Sequence, residues 1–263
     1  SGDFGGTAAM DMPLTFDAVY IKLAEGTVGN ADDTNIMGVN LGTRFDTGEM
    51  ETYYLNKRDR SSTTGENHGS VSTLGVRGSV QPDNGANVYG ELAYQFGQRA
   101  ADPTGFGLVS GDSQQAWAIN LGGDLTFQDV ATSPKLGGEW IFWSGKDIEA
   151  CGAIYCGGVH GWDPIARGSF TTALREFQTA ATTGFYATDQ VFDTGSASNQ
   201  HQLALYGSLK PIEDLTIAPR ITWFILDRGV IPSGANGKRE SYAGFEWDTV
   251  ATYNYTDDVQ FGL

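Results

Sequence analysis

The chain has 263 residues, with 36 Gly, 14 Phe, 11 Tyr, 6 Trp and 2 Cys, a balance of glycine and aromatics that points to an all-β chain. Asp and Glu number 32 against 16 Lys and Arg, and the formal charge of −16 argues against DNA or RNA as a partner. No apolar run reaches the ~18 residues of a membrane helix, which leaves open barrel strands of about 9–11 residues.

Residues 1–13 carry no period and read as a flexible lead-in. From Leu14 to Ala24, Val19, Ile21 and Leu23 share one face of an extended strand and Ala18, Tyr20 and Lys22 the other. A second strand, Ile36 to Phe45, sets Met37, Val39, Leu41 and Phe45 against Gly38, Asn40, Gly42 and Arg44. Asp46 to Glu49 reads as a hairpin turn. The third strand, about Met50 to Lys57, has unclear faces because Tyr53 and Tyr54 are neighbours. The fourth, about Val71 to Gln81, places Arg77 opposite its apolar face. The fifth, about Asn87 to Gln98, sets Val88, Leu92, Tyr94 and Phe96 against Tyr89, Glu91, Ala93 and Gln95.

In the sixth strand, about Gln114 to Gln128, Trp117, Ile119, Leu121 and Leu125 alternate with Ala118, Asn120, Gly122 and Asp124. The seventh lies in PKLGGEWIFWSGK, residues 134–146, with Trp140 and Phe142 towards lipid and Glu139 towards a lumen. The period then stops over 147–200, which reads as a long extracellular loop folding partly over or into a pore. It holds GWDP at 161–164 and a candidate helix near Thr171 to Ala181. In its CGAIYC stretch, Cys151 and Cys156 close a short disulfide in an oxidising compartment; two free thiols are the alternative. Strands resume at His201 to Leu209, at Leu215 to Leu226, where Pro219 predicts a bulge or local break, at Ser241 to Tyr253, and from Val259.

Tight turns follow the even strands and long polar loops the odd ones. That sorting describes an outer-membrane barrel with a periplasmic and an extracellular rim, the first strand running outward. The fold class is therefore all-β, a transmembrane antiparallel up-and-down barrel sheet of about ten to eleven strands in a single domain. Tyr94, Phe96, Trp140, Trp143, Trp223, Trp247, Tyr253 and Tyr255 read as interfacial girdles.

The chain resembles the alginate-export family of outer-membrane porins. The resemblance rests on Tyr94-Gln95-Phe96-Gly97 after Glu91, WSGKD at 143–147, the Trp-Asp-Pro of the long loop, and GFEWDTVATY at 244–253. It implies a barrel of about 18 strands, more than this chain supplies, in the bacterial outer membrane. It also implies passage of an anionic polysaccharide or small solutes, amid lipid bilayer and lipopolysaccharide. A barrel acting as a sleeve for a protein partner, such as an exported cytochrome or secretion component, is the alternative.

The expected pore-lining residues are Arg44, Arg77, Glu91, Gln95, Asn120, Asp124, Glu139, Arg220, Glu246 and Asp248. The arginines either contact a passing anion or form a ladder of ion pairs with the inward carboxylates. Catalysis is not expected. Ser113 with His160 or His201 is the specific hydrolytic arrangement to check, and Glu139 with Glu246 the glycosidase-like one. No histidine pair has metal spacing, and neither cofactor nor metal is expected.

Overall fold

A computed structural model describes residues 13–24, 33–60, 69–83, 85–98, 113–145, 149–151, 154–156, 161–163, 199–230, 240–256 and 259–262. Eleven strands form one sheet: β1 (Leu14–Ala24), β2 (Thr34–Phe45), β3 (Gly48–Asp59), β4 (Gly69–Asp83), β5 (Ala86–Gln98), β6 (Ser113–Thr126), β7 (Lys135–Trp143), β10 (Gln200–Ile212), β11 (Leu215–Val230), β12 (Glu240–Thr256) and β13 (Val259–Gly262). Each strand pairs antiparallel with its neighbour in this order, so the topology is up-and-down throughout. A separate hairpin, β8 (Glu149–Cys151) with β9 (Ile154–Cys156), lies within the long loop. The sequence pattern missed it, because three-residue strands are too short to display a period. The expected Cys151–Cys156 disulfide falls on side chains outside the described residues, as do the lead-in, His160 and the candidate helix.

The two faces carry opposite chemistry. Leu121, Trp140, Leu203, Trp223 and Phe245 form one continuous register row across five strands on the outer face. Around it, Leu136 is 64% exposed and Trp247 70%. On the other face Gln95 and Thr222 are 0% exposed and Gln202 2%. A water-soluble sheet buries its apolar face and exposes its polar one. Here the order is inverted, as in a barrel wall whose outer face meets hydrocarbon.

Aromatic rings mark the outer face at the long-loop end. Tyr94 lies 4.4 Å from Trp117 between centroids, Trp140 6.2 Å from Phe142, and Phe142 4.6 Å from His201. At the tight-turn end Tyr255 meets Phe261 edge-on. Trp143 departs from this belt. It pairs with Ala118 and Gln200, so it stands on the inner face rather than in a girdle. On β1 the register sets Phe16, Ala18 and Tyr20 on the outer side, against Leu41, Val39 and Met37. Val19 and Ile21 stand on the inner side, against Gly38 and Ile36. Composition alone misleads on this edge strand, where only one neighbour fixes the face.

Strand ends also follow local causes. β6 stops at Thr126 because Phe127, Val130 and Ser133 turn back through their own bonds. β7 stops at Trp143 because the Ser144 amide donates to the Trp117 carbonyl while its own carbonyl turns to the loop. At Pro219 the β10–β11 ladder passes from Tyr206↔Arg220 to Leu209↔Ile217 without changing register. The missing proline N–H interrupts the ladder locally but produces no bulge.

Candidate functional site: the inner face and its inserted loop

Three adjacent register rows bring most of the predicted residues together. The first runs Glu51, Arg77, Glu91, Asn120, Ile141, Gln202. The second runs Tyr89, Gly122, Glu139, Ala204, Thr222, Glu246. The third runs Asn87, Asp124, Gly137, Tyr206, Arg220, Asp248. Gln95 stands further towards the long loops. Arg44 stands at the tight-turn end, its side chain 81% exposed, beside Glu49 at 3.3 Å.

Arg220, which is half-buried, and Arg77, which is exposed, are both ion-paired. Arg220 Nη2 lies 2.6 Å from Glu139 Oε2, with side chains 15% and 10% exposed. Arg77 Nη2 lies 2.5 Å from Glu51 Oε2, and its Nε donates to the same oxygen at 2.7 Å. Lys135 Nζ lies 3.0 Å from Asp124 Oδ1. Of the two sequence readings, the ion-pair ladder describes these contacts. Glu51 and Lys135 were missed, although Glu51 stands directly across from Arg77 in the register and Lys135 shares a face with Glu139 four residues on.

Tyrosines supply a second layer that sequence reading did not anticipate. Each lies over a glycine on the neighbouring strand and reaches a carboxylate one strand further. Tyr53 on β3 crosses Gly75 on β4 and donates to Glu91 on β5. Tyr89 on β5 crosses Gly122 on β6 and donates to Glu139 on β7 at 3.1 Å. Tyr206 on β10 crosses Gly137 on β7 in the opposite sense and donates to Asp124 on β6 at 3.3 Å. A Cβ at any of these glycines would collide with the ring above it, so glycine is required for the close approach. The Arg220 guanidinium completes the layer 5.3 Å from the Tyr206 ring centroid. Strict alternation already places Tyr53 and Tyr54 on opposite faces, and that was the available signal for one inward ring.

Residues 161–163 of the long loop lie against this inner face. Lys57 Nζ binds both Asp163 carboxylate oxygens at 3.1 and 3.2 Å. Gln95 holds the Asp163 backbone on both sides: its Nε2 donates to the carbonyl at 2.6 Å and its Oε1 accepts the amide at 2.9 Å. Gln114 Nε2 donates to the Gly161 carbonyl at 2.8 Å, and the Trp162 amide donates to the Ser144 carbonyl at 2.9 Å. The loop base is clamped as well. Asn199, at φ 53° in the left-handed region that Asn tolerates, donates its amide to Ser144 O. Its side chain exchanges two bonds with the Arg228 backbone, at 2.7 and 3.1 Å. The Gly145 amide donates to Asp227 Oδ2 at 2.8 Å. The WSG stretch and the GWD of the loop thus converge on one structure, and of the loop expected to fold inward, residues 161–163 lie against the inner face.

The candidate catalytic pairs find other partners. His201 stands on the outer face, where its Nδ1 accepts from Trp140 Nε1 at 3.2 Å and its ring stacks on Phe142. Glu139 is engaged by Arg220 and Tyr89.

An up-and-down antiparallel sheet with an apolar outer face and a polar inner face defines the β-barrel class. A family model described as alginate export matches residues 22–261, and the chain belongs to the alginate export family, a family of transport proteins. No curated protein matches the chain.

Proposed function

We propose that the chain forms the wall of a passive channel in the bacterial outer membrane. Its inner face borders an aqueous path, and residues 161–163 narrow that path from within. One observation carries the reading: a segment of the long loop is bonded to the polar face through Lys57, Gln95 and Gln114. A scaffold gains nothing from a loop folded into its interior, whereas a channel gains a constriction. The long loops face outward and the tight turns face the periplasm. In lipid, both sheet edges need backbone partners, so the working wall is a closed ring.

The charge arrangement bears on the solute. Lys57, Arg77, Lys135 and Arg220 each carry an acidic partner within 3.1 Å, so the wall offers a polyanion little uncommitted positive charge. Small neutral or cationic hydrophilic solutes suit it better than free polyuronate. Transport needs neither cofactor nor energy input. Planar-bilayer recording of the full-length protein tests the reading: discrete ohmic conductance steps are expected. Their absence would remove the channel and favour a sleeve around a partner protein.

A further inference from the structure

On the outer face the apolar surface ends before the strands do. Across β1 to β6 one register row, Ala18, Val39, Tyr54, Leu74, Tyr94 and Trp117, is apolar or aromatic. Four residues nearer the long loops, the row Lys22, Asn35, Arg58, Ser70, Gln98 and Ser113 is polar throughout. Hydrocarbon would leave such a row unsolvated, so it marks headgroup depth, just beyond the aromatic belt. We infer that Arg58 and Arg60 form a site there for a phosphate of lipopolysaccharide. The inference rests on the outer-membrane placement with the long loops outward, and not on conduction.

Arg58 is held in place from below. Its Nε donates to Asn56 Oδ1 at 3.3 Å. Asn56 is only 8% exposed and donates its own amide to the Ser70 and Ser72 hydroxyls, each at 3.0 Å. The Tyr54 and Ser72 hydroxyls lie 2.9 Å apart and continue the network. A buried polar knot on a lipid-facing surface thus fixes one edge of a guanidinium. A guanidinium carries five N–H donors, and the four on the two Nη atoms have no partner among the described residues.

Charge sets this site apart from the inner face. Lys57, Arg77, Lys135 and Arg220 each carry an acidic partner there. Arg58 and Arg60 are exposed and have none among the described residues. The Arg60 amide extends the β2–β3 ladder to Asp33 O at 3.2 Å, so strand parity keeps Arg60 on the side of Arg58. The Asp33 carboxylate is taken by Lys22 at 3.4 Å. Two positive charges therefore stay uncompensated at headgroup depth, in a chain whose formal charge is −16. Arginine's planar fork matches the oxygens of a phosphate, and each basic residue near an anionic membrane surface adds attraction. The apolar row with Val39 and Leu74 lies beside the acyl chains of the same lipid. That continuity selects a phosphorylated lipid over a free anion.

The test is native mass spectrometry of the full-length protein in detergent, titrated with diphosphoryl lipid A. A saturable one-to-one adduct is expected, with far less adduct from the same lipid after its phosphates are removed. Inorganic phosphate in large excess is expected to leave the adduct in place. Arg58→Gln is expected to weaken binding about tenfold, about 1.4 kcal/mol, and Arg58→Lys, which keeps the charge but loses the fork, to fall between. Equal adducts with and without phosphate on the lipid, or unchanged affinity in Arg58→Gln, would overturn the site. Displacement by inorganic phosphate would overturn the lipid as its ligand. Saturable lipid A binding without conductance steps would remove only the channel, and conductance steps without such binding only the site.

Discussion

Lys57→Ala is expected to turn a steady channel into a flickering one, with a second, larger conductance level in single-channel records. Asp163 is 8% exposed, and Lys57 is its ion-pair partner. Removing one member of a buried pair costs about 3–5 kcal/mol, because the other charge stays buried. Residues 161–163 keep the bonds from Gln95, Gln114 and Ser144. At about 1 kcal/mol net each, those four bonds sum to a similar figure. Opposing terms of equal size give two populated states rather than a permanently open pore. Asp163→Asn leaves the Lys57 ammonium without its anion but keeps an amide oxygen beside it and both Gln95 bonds, so its records should lie closer to wild type than those of Lys57→Ala. Equal, steady conductance in both variants would show that the segment does not constrict the path.

The second large effect is on selectivity. Arg220→Ala leaves Glu139 bonded to Tyr89 but without its cation. A unit charge about 6 Å from a passing ion contributes about 0.7 kcal/mol at the dielectric of bulk water and about 3 kcal/mol at an effective dielectric near 20. Even the smaller figure, favourable to a cation and equally unfavourable to an anion, raises the cation-to-anion permeability ratio about tenfold, measured as reversal potential in a salt gradient at low ionic strength. Glu139→Gln is expected to shift the ratio towards anions, and Arg220→Ala with Glu139→Gln to bring it back. A ratio indifferent to all three would make Glu139 and Arg220 a wall pair out of reach of the ions.

Much of the fold was legible because period two survives wherever a strand separates two solvents. β1 was readable at both ends, and the inward Arg77, Glu91, Asn120, Asp124, Glu139 and Arg220 all fall on the face that alternation assigns. What alternation cannot supply is the partner. Register sets Arg77 between Glu51 and Glu91, and Glu51 takes the ion pair while Glu91 takes the Tyr53 hydroxyl. The tyrosine–glycine–carboxylate units were invisible for the same reason: each joins three strands through cross-strand neighbours. The Lys57–Asp163 contact joins residues 106 apart in the chain, and no local pattern encodes it. Trp143 shows the opposite error, in which a residue type favoured at membrane interfaces was grouped with the belt although its parity placed it inside.

The channel depends on which face meets lipid. Leu121 sits mid-strand on the outer face, 48% exposed, between Trp140 and Gly90 in the register. The direct measurement is the folding free energy of Leu121→Arg against wild type in lipid vesicles. A lipid-facing position near the bilayer midplane predicts a loss of about 2–4 kcal/mol. A change within about 0.5 kcal/mol, as expected of a water-exposed surface position, would contradict the assignment and the channel with it.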